Sequence, residues 1–247
     1  MNFDRAISIV TYNRANRLPL LIESVLKTKP NDARLFVCDD GSTDDTAAVA
    51  AQFPITFVRG PNLGVGANKN RALFLMQNAL FMAIVEDDLM PMERGWFEIY
   101  ESAALTLGIH HFCRVQEKEI PETNPEFTEW CLSKKVTPIY GSSPRGDLTF
   151  ITRKVVRDVG ALNPQFLGVG GAHGEWSNRV AKAGLIPHPL LWVDIKEARD
   201  KFVQAGDTEG GRWLRARADV KQEIKRNVAL AKQLRKTNYI HHPLVFP

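Results

Sequence analysis

Short apolar runs alternate with helical patterns over the first hundred residues. The apolar runs predict four buried strands, at residues 6–10, 35–38, 55–58 and 81–85. Three helices are predicted between these strands. The first covers 17–28 and the third covers 64–78. The second is capped by a hydroxyl of Ser42 or Thr43 and ends near residue 52. This β-α-β-α-β-α-β order predicts an α/β fold with a mostly parallel sheet that is covered by helices on both faces.

Polar residues follow three of these predicted strands directly. They are Thr-Tyr-Asn at 11–13, Asp-Asp at 39–40 and Glu-Asp-Asp at 86–88. Ligands of open parallel sheets bind beyond the carboxyl ends of the strands, where these clusters would meet. We therefore expect the site at this edge of the sheet.

Three consecutive acids, Glu86, Asp87 and Asp88, repel one another unless a cation or hydrogen-bond donors lie nearby. A hard divalent ion with oxygen ligands, Mn²⁺ or Mg²⁺, would satisfy them and bridge to substrate phosphates. The alternative is a polar strand end whose acids cap a helix.

Two glycine-containing segments could also contact a ligand. The segment 62–71 places Lys69 and Arg71 near a helix start, which favours anions. The segment 168–174 places His173 and Glu175 just before a predicted helix at 175–183, where either side chain could take a proton and the histidine could also bind a metal. The alternatives are solvated basic residues, a hydrogen-bonded loop histidine and a first-turn acid that complements the helix dipole.

The rest of the chain is less regular. Residues 108–146 show no clear period, whereas strands are predicted at 148–152 and 190–193 and a helix from 154. Asp194 and Glu197 follow the last strand as possible metal ligands or helix-start acids. We expect one domain over 1–205, with a nucleotide-binding half at 1–100 and an acceptor half at 101–205, and a helical extension over 206–247.

Charge and cysteine content refine this organisation. The 247 residues carry a net charge of +4 and only three cysteines, without metal-like spacing, which predicts reduced thiols in a cytoplasmic protein. No apolar run is long enough to span a bilayer, and the first residues do not resemble a signal peptide. The predicted amphipathic helix within 211–238 is basic, so it could lie on an anionic membrane surface, contact nucleic acid, or only present a solvated face.

Four motifs in succession resemble the family 2 glycosyltransferases and their GT-A relatives. They are Ile-Ser-Ile-Val-Thr-Tyr-Asn-Arg at 7–14, Val-Cys-Asp-Asp-Gly-Ser-Thr-Asp at 37–44, the glycine segment at 62–71 and Glu-Asp-Asp at 86–88. The resemblance implies that Tyr12 stacks on the nucleotide base, Asp40 accepts a hydrogen bond from it and Asp88 binds the metal. The full donor-binding set that it implies is Thr11, Tyr12, Asn13, Arg14, Asp40, Lys69, Glu86 and Asp87, with Lys69 on the diphosphate and Asp87 near the ribose or metal.

The segment 167–179 is similar to the acceptor side of galactosyltransferase-like GT-A enzymes. Gly170-Gly171 and Asn178-Arg179 are kept, whereas Ala172 and His173 replace a Glu-Asp pair whose Asp is normally the base. His173 would then be the base, or a metal ligand with Glu175 as the base, or the reaction would retain the stereochemistry. Asp194 and Glu197 lie where those relatives place later metal ligands.

The sequence therefore predicts a metal-dependent, inverting hexosyl- or pentosyltransferase. Its donor would be a nucleoside-diphosphate sugar, with UDP as the expected nucleotide. Its acceptor would be a hydroxyl on a glycan, a lipid-linked glycan or a modified base in DNA. The alternatives are a nucleotidyltransferase on a similar sheet and a nucleotide-sugar-binding module that has lost its activity.

Overall fold

The computed structural model describes residues 3–117, 124–186, 192–204, 218–237, 239 and 241–245. The strands are β1 Arg5–Thr11, β2 Arg34–Asp39, β3 Thr56–Arg59, β4 Phe81–Glu86, β5 Leu89–Pro91, β6 His111–Glu117, β7 Pro138–Thr152, β8 Trp192–Ile195 and β9 Phe202–Gln204. The helices are α1 Leu18–Thr28, α2 Thr46–Ala50, α3 Val65–Met76, α4 Trp96–Leu107, α5 Pro125–Ser133, α6 Arg153–Asp158, α7 Ala172–Lys182, α8 Lys196–Arg199 and α9 Ala218–Leu234.

The four N-terminal strands of the main sheet are parallel and stand in the order β3-β2-β1-β4. Their registers align the strand ends, since Thr11 of β1 lies opposite Asp39 of β2, and Val10 lies opposite Glu86 of β4. The predicted convergence of the three polar clusters at one edge is therefore confirmed.

The second half of the sheet is antiparallel. Strand β7 runs against β4, and β6 and β8 both pair with β7. The pair Val85↔Leu148 brings the residues just before Leu148 to the carboxyl end of β4. This reversal adds side chains from the middle of the chain to the edge that the parallel strands define.

Helices cover both faces of the sheet, as the α/β prediction requires. One core contains apolar side chains of α1, α4, α5 and α8, and the other contains those of α3, α6, α7 and α9. Strands buried on both faces explain the continuous apolar runs in β1, β2 and β4.

Several predicted boundaries move in the structure. Helix α2 begins at Thr46, and the Ser42 hydroxyl bonds Asp39 instead of capping a helix. Helix α7 begins at Ala172, so His173 lies inside its first turn and not before it. The apparently irregular segment 108–146 holds β6, α5 and the first half of β7; apolar residues occupy both faces of β6, which hides the period of two.

The C-terminal helix α9 packs on α7 and on the glycine-rich loop before it, through the buried Val220, Asn227 and Ala231. Residues 211–217 of the basic helix predicted within 211–238 lie outside the described residues. The domain boundary predicted at 205–206 also lies outside them. Within the described residues, no helix has the length and apolar character that crossing a bilayer demands.

Candidate active site

The loop after β1 is tied to Asp87 at the end of β4. The Thr11 hydroxyl donates to the Asp87 carboxylate at 2.8 Å, the backbone N–H of Tyr12 donates at 3.2 Å, and Arg14 Nε lies 3.6 Å from the same group. Burial raises the pKa of Asp87, and these donors oppose that shift. The Tyr12 ring is 42% exposed, which leaves one face open to a planar ligand.

The loops after β1 and β2 are also joined to each other. Asn13, in the left-handed region at φ 52°, donates its backbone N–H to the Ser42 hydroxyl at 2.8 Å. Its side-chain carbonyl accepts from the backbone N–H of Thr43 at 2.7 Å. Asn13 therefore fixes the loop geometry, and its side chain already has a protein partner.

Asp40 is buried and holds the start of α3. Its carboxylate accepts from the backbone N–H groups of Leu63 and Gly64 at 3.2 and 2.8 Å and from Arg71 Nη1 at 3.0 Å. Burial raises the pKa of Asp40, and the Arg71 hydrogen bond opposes this. A carboxylate offers about four lone-pair positions, so three internal donors leave little of Asp40 for the predicted bond to a base.

Lys69 and Glu86 form an ion pair beside Gly146. Lys69 Nζ lies 2.6 Å from a Glu86 oxygen and donates to the Gly146 carbonyl at 2.8 Å. The Lys69 side chain is only 3% exposed, against 28% for Glu86. The buried Lys69 thus neutralises Glu86 from the interior of the protein. Its contact with a diphosphate stays a prediction.

Asp88 has the setting of a cation ligand. One of its carboxylate oxygens is buried and has no hydrogen-bond partner in the part of the chain that the structure describes. Burial, followed by the charges of Glu86, Asp87 and Asp147, raises the pKa of Asp88 to about 6. An orphaned oxygen among acidic neighbours matches the all-oxygen ligand set of a hard divalent cation such as Mn²⁺ or Mg²⁺.

Asp147 joins this cluster from β7 and was not predicted from the sequence. It accepts from Arg114 at 2.8 Å and lies 3.2 Å from Arg145 Nη2. The signal in the sequence that could have indicated Asp147 is its position directly before the strand predicted at 148–152. In an all-parallel sheet that position would lie at the opposite edge, and only the reversed direction of β7 brings Asp147 to Asp88.

His173 is the one predicted catalytic residue that packs against this region. A Cβ atom on Gly146 would lie 2.7 Å from Lys69 Nζ and 3.3 Å from the His173 ring, so these groups share one small space. Burial lowers the pKa of His173 well below its ordinary value, and the charge of Lys69 adds to this. The imidazole is therefore neutral and a weak base.

Glu175 lies away from the acidic cluster. Both of its oxygens accept from Arg179, at 2.7 and 3.0 Å, and the ion pair is buried. Residues two apart on a helix face opposite sides, so α7 directs His173 and Glu175 in different directions. The predicted role of Glu175 as the base is therefore corrected to a structural ion pair.

The predicted later metal ligands also have other partners. Asp194 is fully buried and accepts from the Tyr100 hydroxyl at 2.5 Å, and burial raises its pKa to about 7. Glu197 accepts from the backbone and hydroxyl of Thr137 at 2.6 and 2.8 Å. Thr137 precedes β7, ten residues from Asp147, so the structure does not bring Glu197 to Asp88.

A cavity of about 350 Å³ opens beside Asp87. Its walls are Arg17, Leu20, Leu21, Asp87, Met90, Val203 and Gln204. The volume falls in the usual range for small-molecule sites, and the mixture of an apolar wall with a few polar groups is typical of them. The acidic edge of the sheet is therefore accessible to a ligand.

Sequence comparison places the first part of this chain with known proteins. Residues 6–106 match the family model described as Glycosyl transferase family 2. A stretch of 90 residues is 31% identical to chondroitin synthase of Escherichia coli and covers 34% of this chain but 13% of that protein.

Structural comparison extends over more of the chain. The mannosyltransferase PcManGT from Pyrobaculum calidifontis, in complex with GDP-Man and Mn²⁺, has a TM-score of 0.60 at 15% identity, over 97% of this chain and 66% of its own. Glucosyl-3-phosphoglycerate synthase from Mycobacterium tuberculosis, with Mn²⁺ and uridine diphosphate, has a TM-score of 0.53 at 16% identity, over 74% of this chain and 67% of its own. The predicted resemblance to family 2 glycosyltransferases and the GT-A fold is confirmed.

Proposed function

We propose that the chain transfers a sugar from a nucleoside-diphosphate sugar to a hydroxyl, because residues 6–106 match the model described as Glycosyl transferase family 2 and the fold is similar to that of a mannosyltransferase. The observation that carries the proposal is the cluster of carboxylates at Asp87, Asp88 and Asp147, of which Asp87 lines a cavity. The family match, and the nucleotides and Mn²⁺ bound by the structural neighbours, support it.

The donor would lie along the edge formed by the loops after β1, β2 and β4. The exposed Tyr12 side chain would offer a stacking surface for the base, and Asp87, which accepts from the Tyr12 backbone, would lie near the ribose. Asp88 would hold Mn²⁺ or Mg²⁺, which supplies neutralisation of the charge on the departing diphosphate. Lys69 and Arg14 add fixed positive charge on either side of the acids.

No described residue is assigned as the general base. Glu175 is held by Arg179, and the lowered pKa of His173 makes its ring a poor proton acceptor. The predicted inverting outcome depended on such a base and remains a prediction. The anomeric configuration of the product, compared with that of the donor by NMR, tests it.

The test is a screen of UDP- and GDP-sugars with Mn²⁺ that measures thermal stabilisation and release of nucleoside diphosphate. We expect one donor class to stabilise the protein and turn over. Asp88→Asn should reduce turnover about 100-fold or more, because the metal contributes several kcal/mol of charge stabilisation. Asp32→Asn, at an exposed ion pair with Arg5, is the matched control and should behave as wild type.

Three outcomes would contradict the proposal. Wild-type turnover in Asp88→Asn would remove the metal role of this residue. Release of pyrophosphate instead of nucleoside diphosphate would indicate nucleotidyl transfer, and tight donor binding with no turnover would indicate a binding module.

A further inference from the structure

A second group of metal-ligating side chains lies between β6 and α7, next to the ion pair of Lys69 and Glu86. His111 and Cys113 stand two residues apart on β6 and so face the same side of the sheet. Helix α7 covers that side and places His173 above them. One ligand atom from each of the three lies within 4.8 Å of the others. We propose that His111, Cys113 and His173 form a binding site for a zinc-class divalent cation.

The polar atoms of this cluster need a partner. His111, Cys113 and Thr149 are at most 1% exposed, and Thr149 lies opposite Cys113 in the register of β6 and β7. The Nδ1 atoms of His111 and His173 and the Thr149 hydroxyl have no hydrogen-bond partner among the described residues. A buried polar atom left unpaired costs about 1–3 kcal/mol, so a cation bound by the histidine nitrogens would offset part of this cost.

The other ring nitrogens do not explain the arrangement. The Nε2 atoms of His111 and His173 lie 3.3 and 3.4 Å from the hydroxyl of Ser177, which are long contacts for a hydrogen bond. Ser177 stands one helical turn after His173, on the same face of α7. Its hydroxyl contacts both rings and is placed to orient them in the manner of an outer-sphere partner.

The protonation states suit a soft or borderline cation. Burial lowers the pKa of His111 to about 4 and that of His173 well below its usual range, so both nitrogens carry free lone pairs at neutral pH. Burial raises the pKa of the Cys113 thiol, and the charges of Asp194 and Asp147 raise it further, against the opposing hydrogen bond from the Arg145 backbone and the charge of Lys69. That negative field attracts a cation, and a bound cation would deprotonate the thiol.

The geometry requires a small closure. Metal–ligand lengths of about 2.0–2.3 Å place tetrahedral ligand atoms roughly 3.3–3.8 Å apart, so ligand atoms that lie up to 4.8 Å apart would draw together by up to about 1.5 Å. Three protein ligands leave the fourth position to water or an added ligand. Two nitrogens and a sulfur select zinc-class ions, whereas the oxygens at Asp88 select Mn²⁺ or Mg²⁺.

The experiment is a titration of the reduced, chelator-treated full chain with Co²⁺, followed by competition with Zn²⁺. We expect one Co²⁺ per chain with a thiolate-to-metal charge-transfer band, and Zn²⁺ should abolish the band. Cys113→Ser should abolish it, and His111→Gln and His173→Gln should weaken Co²⁺ binding about tenfold or more.

Two controls locate the signal. Cys131→Ser removes a buried thiol of α5 outside the cluster and should keep the band. Asp88→Asn should also keep it, so a failure of the proposed donor site cannot be confused with a failure of this one.

Absence of the band in wild type, or an unchanged band in Cys113→Ser, would overturn the proposal. His173 is partly exposed, so His173→Gln keeps the test valid if Cys113→Ser does not fold, as circular dichroism would show.

Discussion

At the scale of single residues, the acids of the site differ by their partners. Asp40 has three internal donors and Asp147 has two arginines, so the protein itself supplies partners to both carboxylates. Asp88 has a buried oxygen without a partner in the described part of the chain, and it has three acidic neighbours. The same residue type therefore holds the backbone in one place and keeps an oxygen available for a ligand in another.

This difference predicts how stability depends on pH without metal. The pKa of Asp88 is about 6 in the folded chain and about 3.9 when unfolded, so its charge opposes folding above pH 6 and this effect fades as the pH falls towards 4. The free energy of unfolding of Asp88→Asn should therefore exceed that of wild type by about 1–2 kcal/mol at pH 8. Urea unfolding in the presence of a chelator measures this difference. Near pH 4 the two should agree, and Mn²⁺ should stabilise only wild type; equal stability at both pH values would contradict the assigned setting.

Gly64 makes a second prediction at this scale. It has φ 98°, and a Cβ atom there would lie 2.4 Å from the backbone nitrogen of Gly168. Gly64→Ala should lower the free energy of unfolding by about 2 kcal/mol or more, from backbone strain and steric overlap. Gly174→Ala, inside α7 with open space around it, is the matched control and should raise it by about 0.5–1 kcal/mol. Equal effects in thermal unfolding would contradict the close approach of the two loops.

At the scale of elements, the phase of α7 decides which of its residues can act at the site. His173 and Ser177 face the sheet beneath the acidic edge, whereas Glu175 and Arg179 face away. Arg179 also donates to the carbonyls of Val159 and Ala161, so this second face fixes the helix to the chain after α6. One helix therefore divides the predicted catalytic pair between two surfaces.

Glu175→Gln tests that division. Removing one charge of a buried pair leaves Arg179 uncompensated and should lower the free energy of unfolding by about 3 kcal/mol. The turnover number with saturating donor should stay within about twofold of wild type where the protein is folded, because the side chain does not reach the site. Glu126→Gln, an exposed first-turn acid of α5, should change neither. A large loss of turnover at full folding would restore Glu175 as a candidate base.

At the scale of the whole molecule, the C-terminal helix is linked to the donor side through a glycine loop. Asn227 of α9 donates to the carbonyls of Leu167 and Val169 at 3.0 Å each, and Asn227 is fully buried. The same loop contacts Gly64 through Gly168 at the start of α3. The extension therefore supports the turn that Asp40 also holds.

Asn227→Ala should show this link in both stability and donor binding. The Val169 carbonyl would lose its Asn227 donor and the Leu167 carbonyl would keep only Arg226, so the free energy of unfolding should fall by about 1–3 kcal/mol. The KM for the donor should rise while the turnover number changes little, because the loop backs the α3 start without touching reacting groups. Val228→Ala, at the neighbouring 42% exposed position, is the control. An unchanged KM for the donor in steady-state kinetics would contradict a link between α9 and the donor site.

Much of the donor half could be predicted because its signals are local. Each strand of the parallel half is a continuous apolar run, and each polar cluster follows its strand directly, so Thr11, Asp40 and Asp87 were found from position alone. Parallel βαβ units place successive strand ends at one edge. The class of fold and the edge that holds the site follow from these contiguous patterns.

Other features depended on contacts between distant parts of the chain, and only the tertiary structure decided them. The antiparallel direction of β7 brings Asp147 to Asp88, and the start of α7 at Ala172 excludes Glu175. The packing of α7 on β6 assembles His173 with His111 and Cys113, sixty residues earlier. Strand direction, helix phase and packing are set by the burial of whole elements, so the sequence determined the site's edge while the three-dimensional packing decided which side chains share it.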